Sequence, residues 1–303
     1  EGYFKLGIIY FTRGDNEKAL EYFEQNIRIN PNNADVFNNL GLILYQNGEY
    51  SAAMKNYEEA LKIKPDLFEA YNNIGNVFIA QKKFKTALEY YEKALNFSPQ
   101  NIDLKYNIAV SYQNLGDTKN AIKSYKECLE IQPNNVKIQF NLAQSYKKAG
   151  DIDKALEHYQ SVLDLKSESI SAHNNMGLIY TELGQTKSAL NCFNEALKIK
   201  PDYAEAHNNI GVLYSSLGKT SLAKKHYKAA IGSEKFFCPS HRNLSSLTKY
   251  SANNSHYHQM KEIERSAALS EDQLCNLTFA LAKAYEDMSN YAEAFKYYVD
   301  GNA

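Results

Sequence analysis

The sequence has no excess of either charge, no long apolar run and no closely spaced cysteine pair. Its 303 residues include 34 basic and 35 acidic side chains, whereas a surface that binds nucleic acid needs a basic excess. No run of about 18 apolar residues occurs, so no segment is expected to cross a membrane. These absences argue against nucleic acid and membranes as partners.

Cysteines are few and far apart, at Cys128, Cys192, Cys238 and Cys275. Without a CxxC pair they indicate neither a zinc knuckle nor a disulfide framework. The chain starts on Glu1, which is typical of a segment excised from a longer protein, and no secretion signal is recognisable. We expect a reducing, cytoplasmic location and neither a metal nor another cofactor.

What the sequence does contain is a repeat of 34 residues. Proline, alanine and aromatic residues recur at this step, with a single proline position replaced by Ser167. They are Pro31, Pro65, Pro99, Pro133 and Pro201; Ala19, Ala53, Ala87, Ala121, Ala155, Ala189 and Ala223; and Phe23, Tyr57, Tyr91, Tyr125, Tyr159, Phe193 and Tyr227. Such a period indicates stacked copies of one supersecondary unit, which form extended binding surfaces more readily than enclosed catalytic pockets.

Each unit is predicted to be a helical hairpin, because apolar residues recur at helical spacing on both sides of a turn glycine such as Gly48. A tight turn there favours a residue without a Cβ atom, although the third unit has Lys82. Gly41 lies in the middle of a first helix, where glycine costs about 1 kcal/mol relative to alanine. We therefore expect the paired helix to approach closely there, with Ala53 as the facing surface.

These positions resemble the tetratricopeptide repeat. In the second unit its signature places are held by Gly41, Leu44, Ala53, Tyr57, Ala60 and Pro65. The resemblance covers seven units over residues 1–237. It implies an all-α, right-handed superhelical solenoid of helical hairpins.

After residue 237 the period is interrupted. Residues 238–274 lack the alanine and aromatic markers and are predicted to form a degenerate helical hairpin, with His241, His256 and His258 as surface residues. The markers return in residues 275–303, which we predict to be a C-terminal tetratricopeptide-like repeat. Residues 279–303 also resemble the connector that joins such arrays to a sulfotransferase domain in bacterial proteins.

Asparagines occupy the fifth and sixth positions of most first helices, which the family resemblance places on the concave face. The candidate peptide-binding residues are Asn38, Asn39, Asn72, Asn73, Asn76, Tyr106, Asn107, Phe140, Asn141, Asn174, Asn175, Asn208 and Asn209. Each amide offers a donor and an acceptor, so a row of them can pair with the backbone of an extended peptide. The row resembles the asparagine ladder in the repeat array of O-linked N-acetylglucosamine transferase, which implies that it holds a protein segment.

A second interpretation of the same row is structural, with the amides bonding neighbouring helices inside the stack. The two interpretations remain open at this point. Tyr106 and Phe140 interrupt the row, which suggests an apolar anchor in the middle of the groove.

The sequence predicts a binding module and not an enzyme. Leu217 to Thr220 resemble the end of a phosphate-binding loop, but Leu213 stands where that loop needs glycine. The leading hypothesis is a protein-interaction scaffold for an extended peptide. The alternative is the substrate-recruiting region of a larger transferase, a sulfotransferase in preference to a glycosyltransferase. A third hypothesis is self-association through the solenoid ends, where the first helix exposes apolar surface.

Overall fold

The computed structural model describes residues 2–266 and 269–302, and every regular element in those ranges is a helix. The helices are α1 (Gly2–Thr12), α2 (Asn16–Ile29), α3 (Ala34–Gln46), α4 (Tyr50–Ile63), α5 (Phe68–Ala80), α6 (Phe84–Phe97), α7 (Ile102–Leu115), α8 (Thr118–Ile131), α9 (Val136–Ala149), α10 (Ile152–Leu165), α11 (Ile170–Glu182), α12 (Thr186–Ile199), α13 (Ala204–Ser216), α14 (Thr220–Ser233), α15 (Cys238–Ser246), α16 (Ser255–Ser266), α17 (Glu271–Asp287) and α18 (Tyr291–Asn302). None of the described helices combines the length and apolar character needed to span a bilayer.

The chain forms two compact units, residues 1–158 and 159–303. In the first unit α1 packs on α2, α3 on α4, α5 on α6 and α7 on α8, and each second helix also packs on the next first helix, from α2 on α3 to α8 on α9. The second unit repeats this arrangement from α11 to α15. This packing confirms the all-α solenoid of helical hairpins.

Position in the repeat, more than residue type, sets the turn inside each hairpin. The turn glycines Gly14, Gly48, Gly116, Gly150, Gly184 and Gly218 have φ values of 79°, 80°, 78°, 80°, 69° and 69°. Lys82 adopts the same left-handed conformation with φ of 58°, although an L side chain costs about 1–2 kcal/mol there. The predicted tight turn is confirmed, and the third repeat keeps it without glycine.

The glycines inside the first helices face an aromatic ring. A Cβ atom on Gly41 would lie 2.5 Å from Cε1 of Tyr57, and one on Gly177 would lie 2.5 Å from Cε1 of Phe193. Both rings are fully buried and belong to the second helix of the same hairpin. The expected close approach is confirmed, but the expectation that alanine supplies the facing surface is wrong, because the ring itself fills that space.

The segment predicted to hold a degenerate hairpin (238–274) and a C-terminal repeat (275–303) contains the four helices α15 to α18. The nine-residue helix α15 packs mainly against α17, and α17 also contacts α16 and α18. Their shared core contains Cys238, Tyr250, Met260, Ile263, Leu277, Ala280, Leu281 and Ala284. The long helix α17 thus provides the apolar partner surface for α15 and α16, and the segment is a four-helix cluster.

A chain of hydrogen bonds links α15 to α16 inside this cluster. Nε2–H of His241 donates to the Lys235 carbonyl (3.0 Å), Nε2–H of His256 donates to Nδ1 of His241 (2.9 Å), and the Tyr250 hydroxyl donates to Nδ1 of His256 (2.7 Å). Burial lowers the pKa of both histidines, that of His256 to about 3. The interpretation of His241 as a surface residue is wrong, since its side chain is fully buried.

Candidate functional site

The asparagine row forms a hydrogen-bonded ladder between repeats. Each rung runs from Nδ2 of a sixth-position asparagine to the fifth-position side chain of the preceding repeat. The rungs are Asn73 to Asn38 (2.9 Å), Asn107 to Asn72 (2.9 Å), Asn141 to the Tyr106 hydroxyl (2.8 Å), Asn209 to Asn174 (2.9 Å) and Asn243 to Asn208 (3.0 Å). One donor of each of these amides is therefore used inside the stack.

Two sixth-position asparagines make no rung. Nδ2 of Asn39 donates to the Asp35 carbonyl (2.7 Å), and Nδ2 of Asn175 donates to the Ser171 carbonyl (2.9 Å), each within its own helix. In both cases the fifth residue of the preceding repeat is a phenylalanine, Phe4 or Phe140, whose side chain has no acceptor. A rung therefore needs an acceptor at the fifth position, and a tyrosine hydroxyl serves as well as an amide.

The ladder also extends into the segment where the other repeat markers are lost. Asn243 of α15 donates to Oδ1 of Asn208, which accepts a second bond from Ser240 (2.9 Å). The missed signal was the 35-residue step from Asn208 to Asn243. Helix α15 therefore stacks as an eighth first helix, although the chain after it does not complete a hairpin with it.

The remaining predicted residues differ in how much of their bonding capacity is free. Oδ1 of Asn76 accepts a bond from the buried Tyr91 hydroxyl (2.7 Å). Asn174 and Asn208 are each 8% exposed, and the oxygen of Asn208 already takes two donors. In the second unit these amides serve mainly to join helices.

A cavity of about 310 Å³ opens among the first helices of the first unit. It is lined by Asn38, Leu42, Phe68, Glu69, Asn72, Asn73, Asn101, Asp103 and Leu104. A second cavity of about 210 Å³, which also includes Asp103, is lined by Tyr106, Lys137 and Ile138 among others. We call the two cavities together the first-helix groove.

Within this groove the ladder leaves part of each fifth-position amide unused. Oδ1 of Asn72 accepts the rung from Asn107, but its Nδ2 makes only a 3.4 Å contact with Asn73. Asn38 likewise accepts through its oxygen. Since an amide carries two N–H donors, donors remain for a ligand beside the apolar side chains of Leu42 and Phe68. This combination suits an extended polypeptide with alternating polar and apolar contacts.

The groove also has a charge pattern that sequence reasoning missed. Glu69 and Asp103 hold the second position of α5 and α7 and line the larger cavity. The same position in α9 is Lys137, whose Nζ lies 4.3 Å from the centroid of the Tyr106 ring. The signal was present in the sequence, since these residues recur at the 34-residue step, three places before the fifth-position row.

A further cavity of about 300 Å³ lies in the second unit, beside His173, Cys192 and Glu195. Burial raises the pKa of the Cys192 thiol, which disfavours a reactive thiolate. In the described part of the chain no group of three or more His, Cys, Asp or Glu side chains is placed to hold a metal ion.

Comparison with known proteins identifies the family. Models described as TPR repeat match residues 7–48, 41–82 and 177–218, and models described as tetratricopeptide repeat match residues 68–101, 100–168 and 204–236. The chain belongs to the tetratricopeptide repeat (TPR) family. No curated protein matches this TPR chain significantly.

Several solved structures share the TPR fold. YrrB, described as a TPR protein with an unusual peptide-binding site, is 26% identical, covers 61% of this chain and 95% of its own, and has a TM-score of 0.53. The C-terminal part of a TPR repeat-containing protein from Cytophaga hutchinsonii is 17% identical, with 80% and 99% covered and a TM-score of 0.64. A TPR protein from Parabacteroides merdae is also 17% identical, with 81% and 97% covered and a TM-score of 0.61. The last two show a common fold alone.

Proposed function

We propose that this TPR array is a protein-interaction scaffold that holds an extended polypeptide segment in the first-helix groove. The observation that carries the proposal is the cavity of about 310 Å³ in which ladder amides lie beside Leu42 and Phe68. The peptide-binding site in the description of YrrB supports the same class of ligand.

The ladder contributes to binding by fixing the amides before the ligand arrives. Rungs of 2.9 Å hold Asn38 and Asn72 through their oxygens, so their remaining N–H groups are oriented without the ligand. Preorganised donors lose less entropy when a segment binds. The amides then donate hydrogen bonds to backbone carbonyls of the segment, while Leu42 and Phe68 contact its side chains.

A pair of substitutions separates ligand binding from stacking. Asn38→Asp with Asn72→Asp keeps the oxygens that accept the rungs but removes the N–H donors. We expect at least tenfold weaker binding, about 1.4 kcal/mol, with little change in melting temperature. The probes are peptides selected from a random-sequence library on the wild-type chain, measured by fluorescence anisotropy in about 1 M salt, where the added charge is screened within about 3 Å.

Asn174→Asp with Asn208→Asp is the matched control, because it adds the same two charges outside the groove and keeps both acceptor oxygens. Asn73→Asp with Asn107→Asp is the converse change, since it removes the rung donors and is expected to lower the melting temperature. Wild-type peptide affinity in the Asn38→Asp and Asn72→Asp double variant would contradict the proposed role of the groove amides.

The hypothesis of a transferase-recruiting region stays a prediction. It rests on the resemblance of residues 279–303 to a sulfotransferase connector, and these residues contribute to the α17 and α18 hairpin. The coding sequence downstream of Ala303 tests it. A nucleotide-sulfate binding loop there would support the hypothesis, and a stop codon would contradict it.

Self-association through the ends also stays a prediction. In α1 the side chains of Tyr3, Leu6 and Ile9 are exposed, as is Phe295 in α18. Light scattering at micromolar concentration tests the idea, and a monomer throughout would contradict it.

A further inference from the structure

We propose that the segment bound in the first-helix groove is basic and places lysine or arginine side chains against Glu69 and Asp103. This inference rests on the proposed function and specifies the chemistry of the partner. Both carboxylates line the same cavity as Asn38 and Asn72, so a segment that meets the amides also meets the charges.

The protein itself does not neutralise these carboxylates. Glu69 and Asp103 are both exposed, and no lysine or arginine within residues 2–266 and 269–302 forms an ion pair with either. Lys105, close to Asp103 in the chain, has its Nζ 3.9 Å from Glu127. Two carboxylates that line one cavity without a cation of their own attract positive charge, and at exposed sites each such ion pair contributes up to about fivefold in affinity, or about 1 kcal/mol. The groove therefore favours a ligand that brings its own positive charges.

The charge pattern also has a direction. Asp35, Glu69 and Asp103 occupy the second position of three consecutive first helices. Lys137 occupies the same position of the next first helix, α9. The acidic stretch thus ends where Lys137 covers the Tyr106 ring. We expect the basic part of the ligand to lie along α5 and α7 and to end before α9.

The repeat geometry sets the spacing of those charges. Packed helices lie roughly 8–10 Å apart, and an extended chain advances about 3.3 Å per residue. One carboxylate per repeat therefore corresponds to about one ligand residue in three. A peptide with lysine at every third residue should fit better than one with the same lysines in a block.

Three fluorescein-labelled peptides on a Gly/Ser background test the inference with the full chain. One has lysine at every third residue, one has glutamine at those places, and one has the same lysines clustered at one end. In about 50 mM salt we expect the spaced lysine peptide to bind at least fivefold more tightly than either of the others. The preference should largely disappear in about 1 M salt, where the Debye length is about 3 Å.

Substitutions assign the preference to the two carboxylates. Glu69→Gln with Asp103→Asn should abolish it, and Glu69→Lys with Asp103→Lys should transfer it to a peptide with glutamate at every third residue. Glu205→Gln is the matched control, because Glu205 holds the same position of α13 in the second unit. It should leave the preference unchanged.

The outcomes separate this inference from the proposed function. Equal affinity for the lysine and glutamine peptides, weakened in both by Asn38→Asp with Asn72→Asp in 1 M salt, would overturn the basic ligand and keep the groove. A lysine preference that survives Glu69→Gln with Asp103→Asn would overturn the assignment to these carboxylates. Failure of the spaced lysine peptide to bind, while library-selected peptides still bind through the groove amides, would overturn the basic ligand and keep the proposed function.

Discussion

The hairpins of residues 34–131 and the cluster of residues 238–302 pack their helices with different chemistry. In the first region neutral groups repeat at fixed places, with a glycine against a buried ring and an amide rung between neighbours. In the second region the contacts differ from one helix pair to the next and involve titratable groups, as where the buried His241 meets the half-buried His256. A strict period allows the same side-chain contacts to recur in every repeat, whereas a segment without that period needs contacts specific to each helix pair.

The C-terminal cluster contains a second network of this individual kind. Lys261 donates to Glu264 (2.5 Å) and to the Tyr297 hydroxyl (2.8 Å), and that hydroxyl donates to Glu264 (2.5 Å). The network joins α16 to α18. The stability given by buried or half-buried charged groups depends on pH and on the loss of a partner far more than that given by amide rungs. The two regions should therefore differ most in stability at acid pH.

Acidification is expected to give the largest difference in stability between the two regions. His241 and His256 have lowered pKa values in the folded protein, that of His256 about 3, whereas an unfolded histidine titrates near 6.5. Their stability contribution is present above about pH 6.5 and is lost as the pH falls towards the folded values, by up to roughly 1.4 kcal/mol per pH unit for each histidine. Hydrogen exchange between pH 7 and pH 4 should show residues 238–302 losing protection before residues 34–131, which contain no histidine.

Equal loss of protection in both regions would contradict this explanation. His256→Gln is a useful control, because it removes one titrating group while an amide can still bond its neighbours. We expect the variant to be less stable at pH 7 but to show a shallower decline with pH than the wild type.

Gly41→Ala is expected to have the next largest effect. The added Cβ atom would lie 2.5 Å from the Tyr57 ring, and overpacking of this kind costs about 1–3 kcal/mol. The matched change is Ala109→Gly, which should cost about 1 kcal/mol through helix propensity. Urea denaturation measures both. A neutral Gly41→Ala would mean that the Tyr57 ring moves aside freely.

Tyr57→Phe and Tyr91→Phe should change stability in opposite directions. The Tyr57 hydroxyl is buried without a hydrogen-bond partner in the described chain, whereas the Tyr91 hydroxyl donates to Asn76. Removing an unsatisfied hydroxyl should raise the free energy of unfolding by about 1 kcal/mol, and removing a bonded one should lower it by a similar amount. Thermal melting of the two variants in parallel decides the sign, and a loss of stability in both would show that the Tyr57 hydroxyl has a partner in solution.

Substitutions at the left-handed turn position, which both regions contain, should give the smallest change in stability. Lys82 and Ser289 both occupy the left-handed conformation, with φ of 58° and 59°. Lys82→Gly and Ser289→Gly should each raise the free energy of unfolding by about 1 kcal/mol or less, because relief of the backbone strain exceeds the added entropy of the unfolded chain. Gly116→Ala is the opposing control and should be destabilising.

Much of the repeat architecture was predictable, and the features that were missed have physical reasons. The 34-residue period predicted the hairpins and their turns, because each depends on neighbours a few residues apart. The asparagine row was recognised, but the choice between ligand and stack depended on distances between helices. Glu69 and Asp103 were not singled out, since charged residues are common on helix faces and only the fold shows which ones share a cavity.

The sequence by itself determined that this chain is a stack of helical hairpins, because apolar, small and aromatic residues recur both at helical spacing and at a 34-residue period. Only the tertiary structure decided which atoms meet across repeats. It paired Asn73 with Asn38, left Asn39 to bond within its own helix, and buried His241 between helices of a segment that had lost the period. Those outcomes depend on the relative placement of residues about 15 to 35 positions apart, and local propensity carries no information about separations of that kind.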